Sequence, residues 1–562
     1  MSIWNSIVLK LRELLKSMIG SRTIQNELHV SYAISPKMEK AIQEWSALYN
    51  DEAPWLHEPD DNDPTNIVSL GLPALIASEK ARTALLELES EITAPTEQVE
   101  VANPNYPGEQ KFINAPNGRT VPVPSVLPPK TITEDRVIGD ASRAKYLESQ
   151  YKKLKKQLRT QIEYGIAKGG LVIKPYVIRN QKTTVDGIDS DIEPTMDIEF
   201  DFVQADAFYP LTFDSAGRIT EAAFVQTKVE KSVVYRKLEY HKWEKNVVTV
   251  INKAYKSNNV RSTGELDTDL GEEISLKDVP EWKDLDEKAT IKNVTQPLFA
   301  YFKMPEANTI DTTSPLGVSG FSRAVKLIRD ADLQYSRLLW EYEGGELAID
   351  IDRDALRTEE DANGVEHTKP NRLQQRLYRK IDLGDDNTYQ PFTPLLRDNH
   401  YIDGLNTILM RIEDVCGISR GTLSDSADVA RTATELRILK QRSYQTNASI
   451  QSAIEDALRD VIYVMNVYAT LYEITPEGEY DVNFEWDDSI LVDVDAELAN
   501  RITLQANGLT SKVETRMWYF GETERQAREA LAQIDAEQAE AMERELALQA
   551  NQQFDDINDS EE

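Results

Sequence analysis

Apolar residues recur along the chain with two different periods, and the changes of period mark out its parts. Met38, Ile42, Trp45 and Tyr49 keep the spacing of a helix, as do Leu72, Leu75, Ala81 and Leu85, so residues 25–49 and 66–89 are predicted largely helical. Between them DEAPWLHEPDDNDPTN reads as a polar loop. Residues 95–129 hold eight prolines, which neither continue a helix nor fit an inner strand, and are expected to form an extended arm. A helix follows over about 140–166. From Gly169 to about Asn293 the period falls to two: Leu171–Val177, Ile198–Val203, Ala222–Gln226, Val233–Trp243 and Val247–Lys253 read as strands of an antiparallel sheet.

Helical spacing returns at about 321, where Phe321, Ala324, Ile328, Ala331, Leu338 and Tyr342 share a stripe that stops at Gly344-Gly345. A β-rich excursion follows: Leu347, Ile349 and Ile351 alternate, Asn363-Gly364 offers a tight turn, and LYRKIDL supplies another strand. A second helix, about 400–416, carries Leu405, Ile408, Leu409, Ile412 and Val415, and runs into the loop GISRGTLSDSADVAR. The longest periodic element comes next. No proline occurs between Leu395 and Thr475 and no glycine between Thr422 and Glu477, while Ile450, Ile454, Leu458, Val461, Met465 and Tyr472 hold one stripe. Thr432 with Glu435 offers a capping box at its start. Forty residues of helix span roughly 60 Å, which suits a part that runs along a larger object. After the strand-like YDVNFEW (480–486), two short helices are expected over about 494–535. Helices combined with an antiparallel sheet make the fold class α+β, and 562 residues are too many for one core.

Composition narrows the function. Acidic residues outnumber basic ones 96 to 63, a net charge of −33, which argues against a conventional high-affinity nucleic-acid binder with its basic footprint. The exception along the chain lies between Arg143 and Arg159, a stretch that contains YKKLKKQLR and holds seven basic residues against one acidic; it reads either as a solvated face or as a phosphate- or partner-contacting one. At the end, 535–562 holds ten acidic residues and one basic, and reads as a helical extension fraying into disorder. A single cysteine, Cys416, excludes a disulfide framework, fits a reducing compartment, and at an apolar helix end reads as structural. Residues 1–20 do not read as a secretory signal. Charges interrupt them, and Ile3, Ile7, Leu11, Leu14 and Met18 mark an amphipathic helix suited to packing or subunit contact, with a membrane-surface anchor as the lesser alternative. Nothing reaches the apolar length of a membrane span.

Catalytic motifs are missing. There is no GxxxxGK[ST] phosphate loop and no Rossmann glycine pattern, and the five histidines never fall at HExxH spacing, so no cofactor or metal is expected. Asp487, Asp488, Asp493 and Asp495 form the one carboxylate run that could serve a metal-dependent nuclease, but a run along one strand and turn is more simply a turn and a helix cap. No catalytic residue is assigned.

Several blocks together resemble the portal proteins of siphophages, in the branch found in phages of Gram-positive hosts. They are IQEWSALY (42–49), IEYGIAKGGLVIKPYV (162–177), DFVQADAFYPLTFDSAGRITEAAFV (201–225), PLFAYFKMPEANTIDTTSPLGVSGFSRAV (297–325), RIEDVCGISRGTLSDSADVARTATELRILKQRSY (411–444) and FEWDDSI (484–490). The resemblance runs from about 38 to 530; the proline-rich stretch and the acidic end do not share it.

The resemblance implies a homo-oligomeric ring, usually of twelve subunits, at one capsid vertex. The ring is the channel through which double-stranded DNA is packaged and ejected, and it joins head to tail. By the same resemblance, 1–320 is wing, including the proline-rich arm; 321–345 and 398–416 are stem helices around a clip at 346–397; 417–430 is a tunnel loop. The long helix and strand of 431–492 return to the wing, 493–535 is a helical crown, and 536–562 is an acidic tail. In the tunnel loop Ser419, Arg420, Thr422 and Ser424, with Arg431 just beyond, are the candidate DNA-channel residues. Arg420 is free either to touch phosphates or to pair with Asp425, Asp428 or a neighbouring subunit. In the clip Arg372, Arg376, Arg379 and Lys380 are the candidate partner interface. Expected partners are further copies of the chain, DNA, the terminase large subunit, the major capsid and scaffolding proteins and a head–tail adaptor, with no membrane. The expected location is the virion, and the host cytoplasm during assembly. An acidic bore fits this role, because repelled phosphates slide and do not stick. The rival readings are another head structural protein of the same virus and the nuclease above.

Overall fold

The computed structural model describes residues 24–28, 33–57, 67–86, 88–102, 112–114, 120–122, 131–179, 196–230, 233–257, 270–352, 358–360, 366–368, 378–381, 389–425, 433–486 and 494–538. The amphipathic stripe of residues 1–20, the capping residue Thr432 and the Asn363-Gly364 turn lie outside them. The chain divides into two compact units, residues 1–92, 142–477 and 482–484, and residues 93–141, 478–481 and 485–562.

In the first unit, helix α1 (Pro36–Tyr49) begins where the Ser35 hydroxyl accepts the Met38 amide at 3.3 Å, and Pro36 supplies a first-turn residue with no amide to satisfy. Its predicted stripe packs inward through Met38, Ile42 and Trp45. Helix α2 (Leu72–Leu85) buries Leu72, Ile76, Ala77 and Ala81, whereas Leu75, which the spacing put on the inner face, is 48% exposed. The helix predicted over 66–89 also stops short, and its end becomes strand β1 (Leu88–Thr93). It pairs there with the strand Asp481–Trp486, and the following helix, α3 (Ser142–Lys168), fastens it. Its Tyr151 hydroxyl meets Ser90 Oγ at 2.8 Å, and its Glu148 carboxylate accepts the Ile92 amide at 2.9 Å.

The polar loop before α2 is fastened to α4 (Val325–Gly344), where Asp332 accepts Trp55 Nε1 at 3.1 Å and the Leu70 amide at 2.9 Å. Arg143, the first of the basic run on α3, is not a surface charge. It is 1% exposed and donates to the carbonyls of Asn466, Thr475 and Pro476 and to Asn466 Oδ1 and Thr470 Oγ1, all at 2.9–3.0 Å.

The sheet region holds β2 (Gly170–Arg179), β3 (Met196–Gln204), β4 (Phe208–Phe213), β5 (Ile219–Glu230), β6 (Val233–Glu244), β7 (Val247–Ser257), β8 (Glu272–Ile274), β9 (Lys288–Lys292) and β10 (Ala300–Lys303). One antiparallel sheet has the order β8-β7-β6-β5-β4, with β9 also on β7; a second has the order β10-β2-β3. Lys245 and Asn246, at φ 52° and 63°, close the β6–β7 hairpin with the left-handed two-residue turn that matches strand twist. Strands β4 and β8 to β10 go beyond the sequence reading: they are short or contain proline, and neighbouring strands recruit them.

After α4 the chain makes β11 (Ala348–Asp352), β12 (Thr358–Glu360), β13 (Glu366–Thr368), β14 (Tyr378–Ile381) and β15 (Tyr389–Phe392). β11 lies between a parallel β14 and an antiparallel β15, and β12 pairs with β13. The excursion is β-rich as expected, but its face is reversed. Ala348 and Asp350 are buried, while Leu347 of the apolar alternation is 55% exposed. Helix α5 (Asp398–Cys416) returns against α4, and α6 (Ala433–Leu471) is the predicted long helix, 39 residues, burying Ile450, Ile454, Leu458, Val461 and Met465. Val464 of α6 joins Val248, Val294 and Leu298 in one core cluster. The last strand among the described residues is β16 (Asp481–Trp486), which pairs with β1.

In the second unit the described parts of the proline-rich stretch are strands: Thr96–Ala102 pairs antiparallel with Thr131–Val137, and Phe112–Asn114 with Thr120–Pro122. Helices α7 (Val494–Ala506) and α8 (Lys512–Phe520) follow, the second capped by a reciprocal Ser511–Glu514 pair. Residues 524–538 form a third helical stretch where two helices were expected in all. Gly521, at φ 65°, ends α8, and Thr523 and Gln526 cap the next start reciprocally. The architecture is α+β.

Candidate channel loop

α4 and α5 are antiparallel neighbours in the chain, and their open ends are tied together. The Glu341 carboxylate near the end of α4 accepts Arg397 Nη2 at 2.7 Å, Arg397 Nε at 3.1 Å and the Arg397 amide at 3.0 Å, just where α5 begins. These bonds hold the Glu341 carboxyl below the usual carboxylate range. The β-rich module 346–397 therefore hangs from a closed neck.

At its far end α5 stops at Gly417, whose φ of 69° favours glycine and where a Cβ would lie 2.4 Å from Thr446 Oγ1 on α6. The chain then makes a compact turn over 417–425 around Glu413, which is fully buried. One Glu413 oxygen accepts the Leu423 amide at 2.6 Å and the Ser424 amide at 2.9 Å; the other accepts Ser424 Oγ at 2.8 Å. Thr422 Oγ1 donates to the Ser419 carbonyl at 2.7 Å, and the Asp425 amide donates to Asn406 Oδ1 at 2.8 Å. A buried carboxylate is tolerated here because donated hydrogen bonds replace its hydration.

Four of the five channel residues inferred from the sequence are thus brought into one turn. Ser419 and Thr422 stand at the surface side, and Ser424 is buried as a ligand of Glu413. Arg420 makes a two-pronged pair with Asp414, at 2.8 and 3.1 Å; of the acids considered above, Asp428 lies outside the described residues. Arg431 lies outside the described residues. Of the residues expected in a clip, Arg372 and Arg376 also lie outside them, while Arg379 and Lys380 stand on β14, in register with Asp350 and Ile351 of β11.

The sequence reading missed Glu413, though a signal existed. It occupies the helical stripe of Leu409, Ile412 and Cys416, where an acid interrupts apolar positions. Val415, placed on that stripe, is exposed instead. Cys416 is buried and its thiol is pushed up to about 12 by burial, so it is inert as a nucleophile.

Other chemistry lies apart from the loop. A cavity of about 510 Å³ opens beside β3, β5 and β6, and charged groups on its walls pair with one another, Lys168 with Asp206 at 2.5 Å and Lys174 with Glu239 at 2.9 Å. Among the described residues no group of three or more histidine, cysteine or acidic side chains could hold a metal ion; Asp487, Asp488 and Asp493 lie outside them. No helix among the described residues is long and apolar enough to cross a membrane.

No curated protein matches the chain. Residues 135–544, well over half of it, match the family of phage portal proteins, SPP1 Gp6-like. The match takes in the sheet region, both tied helices, the clasped turn and the long helix, and it stops short of most of the proline-rich arm and of the acidic end. The chain belongs to that family, the structural virion proteins that provide the channel for packaging the phage genome.

Proposed function

We propose that twelve copies close into a ring at one capsid vertex of a phage of a Gram-positive host. In this reading 1–320 forms the wing, α4 and α5 the stem, 346–397 the clip, 417–430 the tunnel loop and 493–535 the crown, with 431–492 returning to the wing. Double-stranded DNA passes through, the terminase large subunit and later a head–tail adaptor dock at the clip, and the major capsid and scaffolding proteins surround the ring as it assembles in the host cytoplasm. The observation that carries the reading is the neck: two helices joined by a small β module, tied at one end by Glu341 and Arg397 and ending at the other in a clasped polar turn. Ser419 and Thr422 offer passing phosphates short, neutral groups that do not grip. Arg420 offers a charge already half-satisfied by Asp414, a weak and salt-screened contact.

The test is genome packaging with loop variants. Arg420→Ala is expected to leave rings intact and to shorten the DNA packaged or retained, and Asp414→Asn, which frees the guanidinium, to slow translocation. Arg420→Ala rings that package a full genome at the normal rate, or a variant that makes no rings, would contradict the DNA-contact role.

A further inference from the structure

The basic run on α3 has no part in the channel reading, and the structure sharpens it. Arg143 is buried, and Lys153 and Lys155 reach back to Asp197 and to the Ser90 carbonyl. That leaves Lys145, Lys152, Lys156 and Arg159 exposed. Their spacing of seven, four and three residues puts them on one helical face, over about 21 Å at 1.5 Å per residue. Every other exposed position of the helix is serine, threonine or glutamine. In a chain with three acidic residues for every two basic ones, a 27-residue helix thus shows solvent four cations and no exposed carboxylate. Lys152 alone has an ion partner, the half-buried Glu148 at 3.2 Å.

We infer that this stripe is a contact for the phosphate backbone of double-stranded DNA, separate from the channel loop. The argument is charge complementarity. A straight row of long cations with no exposed acid between them matches a polyphosphate and reads no base sequence. Such a contact is salt-dependent, and a row of four cations grips more firmly than the single half-satisfied Arg420, so the stripe acts where the protein holds DNA against its surface, not where DNA must slide. The inference uses the family's traffic in DNA and is independent of any role for Arg420.

The experiment is binding of a fluorescent 30-base-pair duplex to the full-length protein, titrated from low to physiological salt. Each phosphate neutralised contributes about 0.9 to the slope of log affinity against log salt. Lys152→Glu, Lys156→Glu and Arg159→Glu together are expected to weaken binding at least tenfold at low salt and to flatten the slope by about 2 to 3. The corresponding glutamine variant, which preserves helix and solubility, should show most of that loss. Reversal of Lys277 and Lys283, exposed cations elsewhere in the first unit, should change nothing. Unchanged affinity and slope in both stripe variants overturn the inference, as does a wild-type protein that binds no duplex. Loss of rings in stripe variants that fold would overturn it too, by assigning the stripe to a neighbouring subunit's acidic surface.

Discussion

Glu413 grips Ser424 twice, receiving its amide on one carboxylate oxygen at 2.9 Å and its hydroxyl on the other at 2.8 Å. The eleven-residue reach from helix to loop makes the helix end and the turn one piece. Removing the carboxylate strands the amides of Leu423 and Ser424. Glu413→Ala is therefore expected to cost about 2–4 kcal/mol, and Ser424→Ala, which removes one bond, about 1 kcal/mol. Chemical denaturation checks the order; equal losses would mean that Ser424, not the carboxylate, organises the turn.

The neck makes a prediction that stability does not read. Arg397 is well exposed, so its pair with Glu341 is worth little to global folding, yet it ties the two ends from which residues 346–397, the proposed clip, depart. Arg397→Ala should leave the melting temperature nearly unchanged and speed proteolytic cleavage within 346–397. Cleavage at the wild-type rate would show that the clip's own strands suffice.

Asp460 on α6 carries a carboxyl pushed up to about 6, first by burial and then by nearby Asp456, with the Gln296 amide opposing through a hydrogen bond at 3.1 Å. A raised folded-state value means that the folded protein takes up the proton more readily than the unfolded chain. The stabilising contribution is complete below about pH 4 and is lost as the pH rises through 6. Asp460→Asn should therefore stabilise the protein by about 1–2 kcal/mol at pH 7.5, discounted for partial exposure, and leave it unchanged at pH 4. Melting curves at the two pH values decide it, and a stabilisation of equal size at both would locate the effect elsewhere.

Charge reversal of Arg379 and Lys380 tests the clip as a docking site. Both stand on β14, the edge of its sheet, so reversal should spare ring formation and abolish packaging or tail attachment. Normal infectivity of the double variant would count against a partner interface there.

Much of this was legible in the sequence because long stripes dominate it. The 39-residue helix, the tied pair α4 and α5, and the β module between them are all fixed by local spacing. What escaped depends on long-range capture. Residues 88–93 carry leucine and glutamate, helix-formers both, yet they pair with the distant β16, and Tyr151 and Glu148 fasten them there. Arg143 reads as one of seven surface cations until the end of α6, over 300 residues away, supplies carbonyls for it. Arg420 has acids on both sides in sequence, and only the helix direction selects Asp414 over Asp425. A charge pattern tells which groups seek partners, whereas the fold decides which partners they find.

The central claim is that this chain closes into a ring with a channel. Negative-stain imaging of the purified full-length protein, backed by native mass measurement, tests it most directly. The account predicts closed rings with a central hole and a mass that is a whole multiple, near twelvefold, of the 63.7 kDa chain. A stable 63.7 kDa monomer that forms no ring under any condition, procapsid assembly included, would contradict it.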